Sequence, residues 1–190
     1  VLFIRGRTGH GGREGYERTW FTNFDRSGGG TLLDNGVHAL DLARWFMGAE
    51  FVEAVGFAST LWWPIEPCED NAFALFRTED GRLFGLHCSW TQWKGYLYLE
   101  IYGEDGYLHL DFDKARLVFG KREGYRAGRE EVFDFSGRPQ PTWRREIEEW
   151  RAAIREGRRP WADGRDGLEA VRMAYAVYES SKTGRAVRLR

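Results

Sequence analysis

One stretch constrains this chain more than any other: Ser27 to Gly48, SGGGTLLDNGVHALDLARWFMG. Three consecutive glycines open it and a single glycine closes it. Between them Leu33, Val37, Leu40 and Met47 recur at helical spacing, widened into a stripe by Leu32, Ala39, Ala43 and Phe46. Ser27 reads as the N-cap of this helix, and Gly48 as the left-handed residue that stops it.

The polar residues of the stretch carry the chemistry. Asp34, His38 and Asp41 fall at i, i+4 and i+7, on one face of a regular helix. A carboxylate one turn from an imidazole can accept its ring N–H and fix its tautomer, the pairing an acid/base catalyst needs. The same spacing also suits a surface ion pair or a structural histidine. The glycines leave bare backbone open to close approach by another domain or a flat ligand, and the helix start offers unpaired N–H groups.

GGGTLLDNGVHALDLARWFMG resembles the signature helix of the glucose–fructose oxidoreductase / inositol dehydrogenase (Gfo/Idh/MocA) family, roughly GGG-x-x-x-D-x-G-x-H-x-x-D. Gly28, Gly29, Gly30, Asp34, Gly36, His38 and Asp41 match. The C-terminal DGLEAVRMAYAVYESSKTGRAVRL resembles the family's closing pattern, so the likeness spans nearly the whole chain. It implies a nicotinamide-dependent oxidoreductase acting on a sugar, sugar derivative or cyclitol. Such proteins join an N-terminal Rossmann domain to a C-terminal α+β domain, with the signature helix beside the nicotinamide.

By that resemblance His38 is the acid/base, Asp34 holds it, and Gly28, Gly29 and Gly30 lie near the cofactor. Asp41 in mid-helix reads as the partner of an arginine or of backbone. The family's catalytic lysine, in a Glu-Lys-Pro motif, is missing: Lys94, Lys114 and Lys182 sit in other contexts. The dinucleotide fingerprint G-x-G-x-x-G is missing too. The expectation is therefore one C-terminal domain over 1–190, a piece of a longer protein, inactive alone, with NAD or NADP bound mainly by the absent N-terminal domain. Two alternatives stay open: a non-enzymatic sugar-binding or dimerisation module, and an NAD-dependent glycosidase of the same superfamily.

Composition narrows the partners. A net charge of −1 draws in neither nucleic acid nor anionic membrane. No apolar run reaches the roughly 20 residues a bilayer span needs, and the N-terminus lacks a signal peptide's plan. Cys68 and Cys88 are too few for a disulfide framework and read as buried free thiols of a cytoplasmic protein. No metal site is expected. Aromatics at 16%, nine of them Trp, suit large packed sheets, an interface or a sugar-stacking surface.

Taken in order, residues 1–5 read as a strand, and Gly6–Arg13 as a glycine-rich loop that could bring His10 and Arg13 to a polyhydroxy substrate. Some family members carry a similar loop ahead of the signature helix, followed by a Trp, here Trp20. After the helix come alternating strands over 51–63, 71–78, 82–93, 95–102, 107–112, 115–121 and 130–135, with Asp80-Gly81 as a hairpin turn. Tight turns between consecutive strands imply a large, mostly antiparallel sheet in an α+β fold. Apolar residues on both strand faces imply helices on one face and an oligomer contact on the other, as in the family. Helices over 143–156, with Trp143, Ile147, Trp150 and Ile154 as a core-facing stripe, and over 166–183, with Leu168, Val171, Tyr175 and Tyr178, lead to a short strand over 186–189.

Overall fold

The computed structural model describes residues 1–138 and 142–189. Nine strands form a single sheet: β1 (Phe3–Gly9), β2 (Phe51–Ser59), β3 (Asn71–Thr78), β4 (Leu83–Ser89), β5 (Tyr96–Tyr102), β6 (Gly106–Asp111), β7 (Arg116–Glu123), β8 (Arg126–Asp134) and β9 (Val187–Arg188). Their spatial order is β8-β7-β6-β5-β1-β4-β3-β2-β9. Every pairing is antiparallel except β1 with β4. The helices are α1 (Phe24–Ser27), α2 (Val37–Met47), α3 (Thr142–Glu156) and α4 (Gly164–Thr183).

The hairpin turn falls where expected. Gly81 adopts φ 88°, and the Thr78 N–H donates to the Arg82 carbonyl at 3.0 Å. β1 differs from expectation. It runs through Gly6 to Gly9 instead of ending at residue 5, inserted between β4 and β5. The glycine that reads as a breaker is what admits the strand: a Cβ at Gly6 would stand 2.9 Å from the Leu99 side chain and 3.1 Å from Phe84.

α2 and α4 cover one face of the sheet. Leu40, Ala43 and Met47 join Phe76, Phe84, Leu99 and Val177 in one buried core. α4 buries mostly small residues, Ala170, Ala174, Ala176, Val177 and Ser180, with Met173; of the stripe read from the sequence, Leu168, Val171 and Tyr175 are exposed and Tyr178 is half-buried against the core. Close approach explains the choice. Gly56 of β2 lies under Val177, and the Gly56 N–H donates to Ser180 Oγ at 3.1 Å. α3 also departs from expectation, because the stripe read as core-facing lies open: Trp143, Ile147, Trp150 and Ile154 are all exposed, and only Ala153 is buried. The opposite sheet face is bare as well, with Val55, Phe57, Phe73 and Leu75 exposed on it.

Candidate active site

The helix at the centre of the sequence starts differently from its expected form. Ser27 is not an N-cap; it is the last residue of α1, which Gly28 ends at φ 78°. The next helix begins with a π turn over Leu32–Gly36 and continues as α2 to Gly48, whose N–H donates to the Arg44 carbonyl at 3.0 Å with φ 62°. The stop was legible and the start was not.

The N–H groups at that start are not free. The Gly30 N–H donates to Glu69 Oε2 at 2.8 Å and the Leu32 N–H to Glu69 Oε1 at 2.8 Å. Between them the Thr31 N–H donates to the Glu69 backbone carbonyl at 3.0 Å. One acidic residue thus takes three consecutive amides, and a Cβ on Gly30 would collide with the Glu69 carbonyl. Gly29 lies against the Tyr178 hydroxyl, which itself donates to Glu69 Oε1 at 2.9 Å. Within this chain the bare glycine backbone is approached by Glu69, by Tyr178 and, at Gly28, by the Tyr175 hydroxyl.

The π turn also redirects Asp34. An i→i+5 turn places an extra residue in the ring, so residues four apart across it no longer stand one above the other. Asp34 Oδ2 accepts from Asn35 Nδ2 at 2.8 Å and from the Trp90 indole N–H at 3.2 Å, and it lies 3.8 Å from His10 Nε2. No hydrogen bond joins Asp34 to His38 among the described residues; the Asp34 interactions go to the His10 loop and Trp90. His38 is exposed on α2, one turn before Asp41. Asp41 meets Arg44 Nη1 at 3.5 Å, the arginine partnership read from the sequence, and Arg44 also binds Glu50 and Asp166.

His10 is thereby brought to the signature residues from far off in the chain. The Gly12 N–H donates to His10 Nδ1 at 3.0 Å, so a neutral ring carries its proton on Nε2, toward Asp34 and 3.5 Å from Asn35 Nδ2. Beneath lies a second small core of Tyr16, Ile65, Cys68 and Trp90, flanked by Trp63 and Phe21. Tyr16 meets His10 edge-on at 5.4 Å between centroids and Trp90 at 5.2 Å. Burial pushes the Tyr16 hydroxyl well above the usual phenol range, and the nearby Asp34 charge pushes it further, with Arg13 pulling the other way. Arg13 itself is exposed beside this group.

Sequence reasoning missed Tyr16, Asn35, Glu69 and Trp90. The one sequence signal for them was Glu69-Asp70, two acids together at the end of a proline-bearing loop. Cys68 and Cys88 are free and buried, as read. No helix among the described residues is long and apolar enough to cross a membrane.

With that geometry in hand, residues 3–189 match the model of the oxidoreductase family (Gfo/Idh/MocA), C-terminal alpha/beta domain. The chain belongs to the Gfo/Idh/MocA family. It is 30% identical over 155 residues to inositol 2-dehydrogenase 2 of Saccharopolyspora erythraea, covering 80% of this chain and 45% of that protein. It is 27% identical over 175 residues to myo-inositol 2-dehydrogenase of Thermotoga maritima, covering 88% and 51%. This family member therefore spans about half the length of the curated relatives it matches. Its fold superimposes on levoglucosan dehydrogenase, solved with NADH, with a TM-score of 0.85, 20% identity, and coverage of 100% of this chain and 59% of that one.

Proposed function

We propose that this chain is the substrate-binding and oligomerisation domain, over 1–190, of an NAD(P)-dependent oxidoreductase that acts on a hydroxyl of a sugar, sugar derivative or cyclitol. The observation that carries the reading is the Asp34 carboxylate. It is set at the π turn of the family's signature helix, 3.8 Å from His10 Nε2, with Asn35 and Trp90 as donors. The inositol dehydrogenase relatives support the substrate class.

A bound nicotinamide would supply the hydride acceptor for oxidation of the carbinol carbon. The amides of Gly30, Thr31 and Leu32 at the start of the signature helix are taken by Glu69 and are not free for the dinucleotide's phosphates. Binding of NAD or NADP is accordingly assigned mainly to an N-terminal Rossmann domain, with Gly28–Gly30 close to the ring, and the 190-residue chain alone is expected to be inactive. This chain's own residues handle the proton and the orientation. His38 accepts the hydroxyl proton in oxidation and returns it in reduction. Asp34, His10 and Arg13 orient the hydroxyls, with His10 donating through Nε2 or, when protonated, pairing with Asp34.

The exposed stripe of α3 and the exposed Leu168, Val171 and Tyr175 of α4 support a covering domain on the helix side. The bare face of Val55, Phe57, Phe73 and Leu75 supports a homo-oligomer through the sheet. The two buried free thiols support a cytoplasmic location.

The test is reduction of NAD or NADP by the full-length protein, followed by absorbance, over a panel including myo-inositol and D-glucose. Turnover with a polyol is expected, and His38→Ala or Asp34→Asn should lower it by about 10²–10⁴-fold. Normal turnover in both variants would overturn the assignment.

A further inference from the structure

Glu69 and Asp70 are adjacent and both buried, and neither takes part in the proton transfer described above. Buried carboxylates are costly unless their lone pairs are met by donors. Here the backbone donors belong to segments that shape the site, with the Tyr178 hydroxyl and the Asn71 amide as the side-chain donors. Glu69 holds the amides of Gly30, Thr31 and Leu32, the turn that leads straight into Asp34. Asp70 holds a different segment. Its Oδ1 accepts from the Leu61 N–H at 2.8 Å and from Asn71 Nδ2 at 3.0 Å; its Oδ2 accepts from the Trp62 and Trp63 N–H groups, both at 2.8 Å. The Asp70 carbonyl accepts the Trp90 N–H at 2.7 Å.

The segment held by Asp70 forms an aromatic wall beside His10. The Trp63 indole N–H donates to the Trp90 carbonyl at 3.0 Å, and its ring lies against Gly12 and Tyr16. Trp62 meets Trp93 edge-on at 5.5 Å, and Trp93 packs on Gly11. Trp62 and Trp93 remain about two-thirds exposed, at 65% and 69%. A wall of exposed indoles next to hydrogen-bonding groups is the make-up of a small-molecule site.

We propose that Glu69 and Asp70 are the positioning residues of the site and that they divide the work. Glu69 sets the helix start that aims Asp34, and Asp70 sets the aromatic loop that receives the substrate. The proposal rests on the reading that Asp34 faces a polyhydroxy substrate. Its consequence is a split in kinetics that a merely structural role would not produce: disturbing Glu69 acts on kcat, and disturbing Asp70 acts on KM.

The experiment uses full-length protein with Glu69→Gln and Asp70→Asn, each of which puts an amide NH2 against a backbone N–H. Two readouts are taken: amide hydrogen exchange, and NAD reduction with myo-inositol. Glu69→Gln should speed exchange at 30–34 by about tenfold and leave 61–63 unchanged; Asp70→Asn should do the reverse. In turnover, Glu69→Gln should lower kcat by about tenfold with KM within about twofold, and Asp70→Asn should raise KM by a similar factor with kcat nearly kept. Should either variant fail to fold, Tyr178→Phe repeats the Glu69 pattern in weaker form and Asn71→Ala the Asp70 pattern. Equal loosening of both segments by each variant, or equal losses in kcat and KM, would overturn the division of roles. A wild-type protein inert toward every polyol sinks the oxidoreductase reading instead, and the exchange pattern then still decides this one.

Discussion

Helices α2 and α3 carry equally regular apolar stripes, and the fold treats them in opposite ways. Leu40, Ala43 and Met47 of α2 are sealed under the sheet with Leu32 just before them, whereas Ile147 and Ile154 of α3 are 61% and 75% exposed. α2 is fixed at both ends, by Glu69 at its π-turn start and by Gly48 at its stop, and Arg44 ties it to Asp166 of α4. Among the described residues α3 makes only sparse contacts with the other elements; it is tied to the following loop by Glu149 and Glu156 with Arg158, at 2.6 and 2.5 Å, and by Glu149 with the Trp161 N–H, at 3.1 Å. A 3.6-residue period says which side chains share a face. It does not say what that face meets.

The comparison can be broken at its strong end first. Leu40→Ala should destabilise the chain by about 2–5 kcal/mol in urea unfolding, the usual range for emptying a sealed core site. A loss as small as that of Ile154→Ala would mean that the two helices are not distinct. Gly30→Ala comes next. The new methyl must displace the Glu69 backbone, so a loss of about 1–3 kcal/mol is expected, with the near-ultraviolet signal of Trp90 altered because Asp34 moves with the turn.

At the weak end, Ile147→Ala and Trp150→Ala should change the stability of the 190-residue chain by no more than about 0.5 kcal/mol. The same changes should cost visibly more in the full-length protein if a covering domain takes up the stripe. Equal small values in both would remove that domain from the proposal.

The bare sheet face offers the smallest effect and a pH dependence. His87 stacks on Phe73 at 3.9 Å between centroids, and burial, with the Arg7 charge adding to it, holds its pKa below the ordinary 6.5. A histidine with a depressed native value contributes stability above the unfolded value, and that contribution is lost as pH falls through the native one. The melting temperature should therefore drop more steeply below about pH 6.5 in the wild type than in His87→Phe. Parallel curves would show that His87 titrates alike in both states.

The candidate site residues were picked out by residue type. Asp34, His38 and the three glycines stood out by spacing and by family pattern, and His10 and Arg13 by their place in a glycine-rich loop. What the residues alone did not convey was the pairing. A regular helix puts Asp34 over His38, but the π turn sends it to Trp90, Asn35 and His10. That turn is anchored by Glu69, a residue 39 positions removed from Gly30, and no local pattern encodes such a contact.

By itself the sequence determined what short-range chemistry determines: the extent of β3, the Asp80-Gly81 hairpin, the Gly48 stop of α2, the free cysteines, and the mostly antiparallel α+β class. Each depends on a φ preference, a two- or 3.6-residue period, or a count. Only the tertiary structure decided that β1 enters between β4 and β5, parallel to the first and antiparallel to the second, that α4 buries its alanines and leaves Leu168, Val171 and Tyr175 exposed, and that the α3 stripe stays open. Those outcomes depend on how closely two surfaces can approach and on which surface arrives. Residues far apart in the chain settle both.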